Sequence, residues 1–338
     1  MTLNLFFPRI ISVVSTLMFL VSFDGNAAEK KDAAKDKSAA EKQMALTPET
    51  AGPDFAVMGE YVGTVDGAAL GAQVIALGDG QFTAVLLPGG LPGAGNTTLR
   101  SEMTGTRTDD TTTFTGEGGK GTIKGTTFTG TDAAGKEFTL AKTQRQSPTL
   151  GAVAPAGAII LFDGSNTDAW DKGSKDEAGF LKVGAITKQK LTSFSLHLEF
   201  RLPFKPFGRG QDRCNSGVYI HQTYEFQVLD SFGLPLANNH TGSLYTVLAP
   251  KINMVFPPLT WQTYDIDFTG PGFDAEGKKN RNARATVRLN GVVVQDDIEI
   301  QNGTGANKKR PELPEGGNLL LQDHGNPVVF RNIWVVAK

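Results

Sequence analysis

The sequence has a single cysteine and only four histidines among its 338 residues. With Cys214 alone, no disulfide can form within the chain, so the fold must depend on its packed core. A lone cysteine is more often a small buried apolar residue than a catalytic nucleophile. The formal net charge is −2 and no basic patch is present outside the N-terminal segment, which argues against a nucleic acid or an anionic membrane as partner.

Sustained helical periodicity is missing as well. No segment repeats apolar residues at helical spacing, whereas 40 glycines and 21 phenylalanines, with many threonines and valines, are typical of strands joined by tight turns. With 39% hydrophobic residues, the chain has ample material for a core and is long enough for two domains. We therefore expect an all-β protein.

The N-terminal apolar run covers residues 10–23 and is shorter than the roughly 20 residues that a membrane-spanning helix needs. It follows Arg9 and precedes small residues that end at Ala28, so we expect residues 1–28 to be a secretory signal peptide. The mature protein would then be periplasmic or extracellular, with no membrane anchor after cleavage. Residues 29–52, rich in Lys, Asp, Glu and Ala, are expected to form a charged, solvated linker.

Two strand-rich regions follow the charged segment. Residues 53–145 consist of short alternating runs separated by Gly and Asp turns, which predict a small antiparallel β domain with an accessory role. Residues 146–158 contain Pro and Gly suited to an interdomain linker. In residues 159–338, Asn290 and Gly291 predict a type I′ hairpin turn, and the many strands predict a two-sheet jelly-roll sandwich.

Polar side chains are dense in residues 215–230, where apolar and polar positions alternate along two predicted strands. Glu225 and Gln227 share one strand face, and Tyr219 and His221 share a face of the preceding strand. For any one of these residues a solvated polar face is the usual explanation. The combination of carboxylate, amide, phenol and imidazole instead favours a site.

Seven motifs, in order, resemble those of the 3-keto-disaccharide hydrolase domain family: LFDGSNTDAW, FSLHLEFRL, NSGVYIHQTYEFQVLDSFG, TGSLYTVLAPKIN, WQTYDIDF, VRLNGVVV and LQDHGNPVVFRNIWV. The resemblance covers residues 159–336. It implies a concanavalin A-like β-jelly roll whose concave sheet binds a sugar already oxidised to a ketone at C3. Such a ketone acidifies the C2 proton, so a base can form an enediolate, the C1 leaving group can depart, and water can then add. A sugar 3-oxidoreductase would have to supply the ketone.

The candidate site residues combine this resemblance with strand facing. Glu225 is the expected base or metal-ligand carboxylate, and His324 or His221 is the expected proton donor or metal ligand. The expected substrate-binding residues are Gln227, Gln322, Asn215, Arg213, Tyr245, Asp230 and Asp323. Asp230 and Asp323 have the opposite strand parity, so either would need a turn or bulge to enter the site. In the LQDHG segment, a turn made by Asp323 with His324 exposed at its tip is the competing interpretation.

A divalent metal is compatible with an enediolate intermediate, and Glu225, His221 and His324 are its candidate ligands, although no HxH or HExxH spacing is present. Two other functions remain open. The first is a laminarinase-like hydrolase of unoxidised glycan, in which Gln227 would replace the central acid of an E-x-D-x-x-E strand and Asp230 the last one. The second is a non-catalytic carbohydrate-binding module, because jelly rolls serve that purpose equally well.

Overall fold

Alternation of apolar and polar residues over short segments gives this chain strands almost throughout, and the predicted all-β class is confirmed. The computed structural model describes residues 44–96 and 99–338. The predicted signal peptide and residues 29–43 of the predicted linker lie outside the described residues. In the described ranges the helices are η1 (Pro48–Thr50), α1 (Gly52–Val57), η2 (Gly210–Asp212) and η3 (Gly305–Asn307).

No helix within the described ranges is both long and apolar enough to span a membrane.

The first β region forms a closed barrel in which every strand pairs antiparallel with its neighbours in sequence and the last strand pairs with the first. Closure leaves no unpaired edge strand in this sheet. The strands are β1 (Gly59–Val65), β2 (Ala68–Gly78), β3 (Gln81–Pro88), β4 (Ser101–Thr108), β5 (Thr111–Gly116), β6 (Gly119–Lys124), β7 (Thr127–Thr131) and β8 (Glu137–Thr143).

Aromatic side chains fill the barrel. Phe128 is fully buried, with its ring centroid 5.2 Å from those of Phe114 and Phe138 and 5.9 Å from that of Tyr61. Along β5, Thr112 and Phe114 are buried and Thr113 and Thr115 are exposed, because every second side chain of a strand points inward. The barrel therefore has its own hydrophobic core.

The second β region comprises fourteen strands. They are β9 (Ile159–Phe162), β10 (Trp170–Asp171), β11 (Leu181–Lys182), β12 (Ile186–Thr187), β13 (Phe194–Arg201), β14 (Ser216–Ile220), β15 (Tyr224–Val228), β16 (Trp261–Thr269), β17 (Gly272–Phe273), β18 (Lys279–Arg281), β19 (Ala283–Leu289), β20 (Val292–Ile300), β21 (Leu320–Leu321) and β22 (Val329–Ala337).

These strands build two main sheets. The five-stranded sheet has the order β10-β12-β21-β14-β15, and the seven-stranded sheet has the order β11-β22-β13-β16-β19-β20 with β9 added to β22. The sheets pack against each other through buried aromatic rings. For example, the ring centroids of Tyr224 in β15 and Phe268 in β16 are 5.7 Å apart. Asn290 and Gly291 both have positive φ between β19 and β20, as a type I′ turn requires.

The barrel and the sandwich belong to one compact unit. A Cβ atom at Gly78 of β2 would lie 2.5 Å from the Phe207 ring, which shows how closely the two β regions approach. Residues 44–52 were expected to be part of a solvated linker, yet Ala45 is buried and exchanges two 2.9 Å backbone hydrogen bonds with Phe204. Apolar Ala45 and Leu46 end the charged composition there, so this end of the segment packs against the sandwich.

Candidate active site

The Glu225 carboxylate lies on the face of β15 that points away from the core between the sheets. Glu225 pairs with Tyr219 of β14, and its Oε2 accepts a 2.6 Å hydrogen bond from the Tyr219 hydroxyl. Its backbone N–H donates to Thr304 Oγ1 at 2.9 Å. A Cβ atom at Gly217 would lie only 2.4 Å from Glu225 Oε1, so the carboxylate occupies the space that this glycine leaves open.

Burial changes the acidity of this carboxyl group. Glu225 is 1% exposed, and burial raises its pKa from 4.5 to about 7, while the hydrogen bond from Tyr219 acts in the opposite direction. No carboxylate of the described residues contributes to this shift. Glu225 can therefore both accept and release a proton near neutral pH.

The strand register gathers further polar groups beside Glu225. Gly217 lies between Gln227, its partner on β15, and Gln322, whose N–H donates to the Gly217 carbonyl at 2.8 Å. On the outer side of β15, Tyr245 lies opposite Glu225 and donates its backbone N–H to the Glu225 carbonyl at 3.0 Å. Alternation then places these side chains on one side of the sheet. We call this surface the Glu225 face, made up of Asn215, Tyr219, Glu225, Gln227, Ser243, Tyr245 and Gln322.

Unpartnered polar atoms concentrate on the Glu225 face. Among the described residues, four buried side-chain polar atoms have no hydrogen-bond partner in the protein: Thr112 Oγ1, Asn215 Oδ1, Ser243 Oγ and Gln322 Oε1. Three of the four lie on the Glu225 face, and the fourth is in the barrel. Because buried polar groups are nearly always satisfied, such a cluster indicates a place where a polar ligand or water supplies the missing bonds.

The side-chain amide of Gln211 is hydrogen-bonded to two amides of this face, Asn215 and Gln227. Gln211 of η2 accepts hydrogen bonds from Gln227 Nε2 at 2.8 Å and from Asn215 Nδ2 at 3.1 Å. Its own Nε2 donates to the Asn239 carbonyl at 3.0 Å. The sequence offered no signal for Gln211 or Ser243, because both residues lie outside the regular strands.

His221 was expected on the polar side of its strand, and this placement is wrong. The residue follows the end of β14 with φ of 56°, so strand alternation no longer applies to it. Its ring centroid lies 5.0 Å from that of Phe268, and its Nε2 lies 3.1 Å from the Thr192 carbonyl. Burial lowers the pKa of His221, which packs at the end of the core between the sheets.

His324 and Asp323 lie in an exposed turn after β21. Asp323 Oδ1 accepts a 2.9 Å hydrogen bond from the Gly325 N–H, and the His324 carbonyl accepts one of 3.1 Å from Asn326 Nδ2. β21 ends at Leu321, so the strand does not extend far enough to aim either side chain into the site. The competing turn interpretation of this segment therefore describes the structure.

Arg213 and Asp230, both expected to bind substrate, form a buried ion pair with each other. Arg213 Nε donates to Asp230 Oδ2 at 2.8 Å, and both side chains are at most 5% exposed. The guanidinium also donates to the Ala76 carbonyl of β2 in the barrel at 3.3 Å. The pair therefore links the sandwich to the barrel.

The residues proposed as metal ligands do not gather. No group of three or more His, Cys, Asp or Glu side chains in the described parts of the chain is placed to hold a metal ion. His221 lies in the core and His324 in an exposed turn, while the partner of Glu225 is the Tyr219 hydroxyl. The donor set therefore does not fit a divalent metal, and we derive no step through one.

A second polar cluster, absent from the sequence expectations, lies on the seven-stranded sheet. His197 Nδ1 is 2.6 Å from Asp265 Oδ1, and Glu199 Oε2 accepts a 2.6 Å bond from Arg331 Nε. Glu199 Oε1 accepts the Gly151 N–H at 2.6 Å, so this cluster binds the segment between barrel and sandwich. It is a structural contact on the sheet that does not carry Glu225.

Comparison with known proteins identifies the family of the sandwich region. Residues 157–336 match the 3-keto-alpha-glucoside-1,2-lyase-like domain, which confirms the resemblance seen in the motifs. A solved structure of a proposed glycosyl hydrolase from Parabacteroides distasonis ATCC 8503 is 36% identical, with a TM-score of 0.50 and coverage of 55% of this chain and 85% of that one. Another from the same organism has 17% identity, a TM-score of 0.40, and coverage of 55% and 98%. No curated protein matches the chain.

Proposed function

The chain belongs to the 3-keto-alpha-glucoside-1,2-lyase-like domain family, and from this premise we propose that it cleaves 3-keto-glycosides by base-initiated elimination followed by hydration. The broader assignment, a carbohydrate-active enzyme that cleaves glycosidic bonds, is also supported by the similarity to a proposed glycosyl hydrolase at 36% identity. The finer assignment of substrate and reaction rests on the site.

The observation that carries the proposal is the position of Glu225 among unpartnered polar atoms. A buried carboxylate with a pKa of about 7 is suited to remove a weakly acidic C–H proton near neutral pH. The unpartnered atoms of Asn215, Ser243 and Gln322 on the same face suit the hydroxyl groups of a sugar. A substrate rich in hydroxyls and acidified at C2 matches both features.

In the proposed reaction Glu225 takes the proton from C2, and the C–H electrons form a C2–C3 enediolate with the ketone oxygen. Collapse of this enediolate forms a C1–C2 double bond and expels the C1 oxygen with its electron pair. Water then adds oxygen to C1 and a proton to C2, which completes net hydrolysis. The proton held by Glu225 is available to the leaving oxygen.

Tyr219 and Tyr245 have different roles in this scheme. The Tyr219 hydroxyl is already donated to Glu225, so it orients the carboxylate. Tyr245 is half-buried, and both burial and the Glu225 charge raise its pKa, so its hydroxyl stays protonated. We assign Tyr245 as the hydrogen-bond donor to the developing oxyanion or leaving oxygen.

A retaining glycosidase on unoxidised glycan is less well supported. That chemistry needs two carboxyl groups about 5 to 5.5 Å apart. Asp230, the second acid of the sequence pattern, is fully buried and paired with Arg213, and no carboxylate of the described residues perturbs Glu225. A non-catalytic module is separated from an enzyme only by turnover, which the following experiment measures.

The deciding experiment measures product release from a 3-keto-disaccharide and from its unoxidised parent, with and without a chelator. We expect turnover of the keto substrate only, unaffected by the chelator. Glu225→Gln should lower kcat by about 10²-fold or more, as expected for loss of a general base. His324→Gln serves as the matched control, because this side chain is exposed in a turn beyond the end of β21, and its loss should leave kcat within about threefold.

Cleavage of the parent sugar would support the unoxidised-glycan alternative, and binding without turnover would support the carbohydrate-binding module. Loss of activity with the chelator would show a metal requirement that the donor set does not predict.

The proposal includes export and a partner reaction. Ordinary glycosides carry no C3 ketone, so an enzyme that oxidises sugars at C3 must act before this one. Export is tested by N-terminal sequencing of the protein from the periplasm or medium, where we expect the mature chain to begin near Glu29. Recovery of the intact N-terminus in the cytoplasm would contradict export.

A further inference from the structure

The side-chain amides of Asn215 and Gln227 are both hydrogen-bonded to that of Gln211, and a backbone carbonyl fixes the orientation of Gln211. The Asn239 carbonyl can only accept a hydrogen bond, so the donor 3.0 Å away must be the NH₂ group of Gln211. Gln211 Oε1 then points the other way, toward Asn215 and Gln227. Each of these must present its own NH₂ group to that oxygen, and the contacts of 3.1 and 2.8 Å are consistent with this.

A second backbone group gives the same orientation independently. Gln227 Oε1 accepts the Val228 N–H, which can only donate, at 3.2 Å. Gln227 therefore has to turn its NH₂ group toward Gln211. The Asn239 carbonyl and the Val228 N–H therefore require the same orientation of the two side-chain amides that lie between them, those of Gln211 and Gln227.

These orientations also fix the side-chain amide of Asn215, which donates to Gln211. Its NH₂ group is committed to Gln211, so its Oδ1 is turned away, and this oxygen is buried without a partner. Asn215 is 3% exposed, so bulk water does not satisfy Oδ1. The site thus contains a fixed acceptor that requires a donor. A hydroxyl group can supply one, whereas a ketone oxygen cannot.

We infer that Gln211 is a positioning residue that fixes Asn215 as the acceptor for one hydroxyl group of the sugar, so that the ketone is excluded from this subsite. This inference rests on the proposed function and deepens it. If a hydroxyl group of the sugar occupies the position beside Asn215, the C3 ketone lies elsewhere on the Glu225 face. Glu225 and Tyr245 are the groups of the proposed reaction on that part of the face.

The test measures binding in the Glu225→Gln background, where turnover does not consume the ligand. The probes are methyl 3-keto-α-glucopyranoside and its 4-deoxy and 6-deoxy analogues, with Kd determined by calorimetry. One deoxy analogue should bind about 10-fold more weakly than the parent probe, because it leaves Asn215 Oδ1 unpartnered. This comparison uses a single protein and does not depend on how a variant folds.

Adding Gln211→Met, which keeps the volume but not the hydrogen bonds, should weaken the parent probe about 10-fold while leaving that same analogue unchanged. Asn215→Ala should give the same pattern, and combining the two should add little. Gln322→Met is the matched control, because Gln322 is on the same face but makes no side-chain hydrogen bond with Gln211. It should not change the preference between the parent and that analogue.

Equal binding of the parent and both analogues, or different hydroxyl preferences for the Gln211 and Asn215 variants, would overturn the inference while leaving the proposed function in place. No binding of the parent probe would overturn both together.

Discussion

At the scale of single residues, burial gives Glu225 the pKa that the proposed base requires and lowers the stability of the protein at high pH. Its pKa rises from 4.5 in an exposed chain to about 7 in the folded protein. Between these values the folded state holds a proton that the unfolded state releases, so stability falls as pH rises through this window. At about 1.4 kcal/mol per pH unit, the difference corresponds to about 3 kcal/mol.

Glu225→Gln, which should lower kcat by about 10²-fold or more, should therefore stabilise the protein at high pH. We expect a gain in unfolding free energy that is small near pH 4.5 and approaches about 3 kcal/mol at pH 8. Urea denaturation of both proteins at several pH values measures it. A gain that does not grow with pH would show that the carboxyl group is not desolvated.

In the parent enzyme, kcat/KM should rise with pH around an apparent pKa of about 7, because the base must be ionised to act. A pH–rate profile from pH 5 to 9 tests this. A fall in kcat/KM over the same range would assign Glu225 as an acid instead.

Gly217 is a second residue whose effect is local. Alanine there would place Cβ 2.4 Å from Glu225 Oε1, and the carboxylate would have to move. Because a displacement of about 1 Å can cost about 10²-fold in rate, Gly217→Ala should lower kcat/KM by about that factor. The flexible end of Glu225 can yield, so the midpoint of unfolding should change little. In the Glu225→Gln background the same substitution should cause almost no further loss.

At the scale of elements, sequence alternation predicted the part of the site that lies within regular strands. Tyr219, Glu225 and Gln227 share a face because β14 and β15 pair in register. His221 and His324 were misplaced because each lies just beyond a strand end, where a turn replaces alternation. Gln211 was not foreseeable, since its contacts with residues 215, 227 and 239 depend on how a 3-10 turn docks on the sheet.

The segment between barrel and sandwich is bound by Asp265 and Glu199, the two carboxylates beside His197. Burial alone would lower the pKa of His197, but its hydrogen bond with Asp265 and the carboxylate of Glu199, 3.7 Å from its Nε2, raise the pKa to about 8. A raised histidine pKa gives stability that is complete below 6.5 and is lost as pH rises through 8.

We expect this histidine to account for about 2 kcal/mol of stability lost between pH 6 and 9. His197→Gln should remove that portion of the pH dependence in urea denaturation, whereas His324→Gln, in an exposed turn, should not. An unchanged slope in the His197 variant would show that the network is not charged.

At the scale of the whole molecule, the contacts between barrel and sandwich predict that they unfold together. All three tryptophans, Trp170, Trp261 and Trp334, lie in the sandwich, so their fluorescence does not report on the barrel directly. Phe128→Ala should remove about 3 to 5 kcal/mol from the barrel core. We expect it to lower the denaturation midpoint seen by tryptophan fluorescence as much as that seen by circular dichroism. An unmoved fluorescence midpoint would show that the two β regions unfold independently.

The barrel begins and ends at the same place, because β1 pairs with β8. A unit whose two chain ends are neighbours can be inserted into a polypeptide, or removed from it, without moving the flanking segments apart. The sandwich contains the Glu225 face without any strand from the barrel. The barrel is therefore organised as an insertable unit, and the Arg213 guanidinium, which hydrogen-bonds the Ala76 carbonyl of β2, is one of the points that join it to the sandwich.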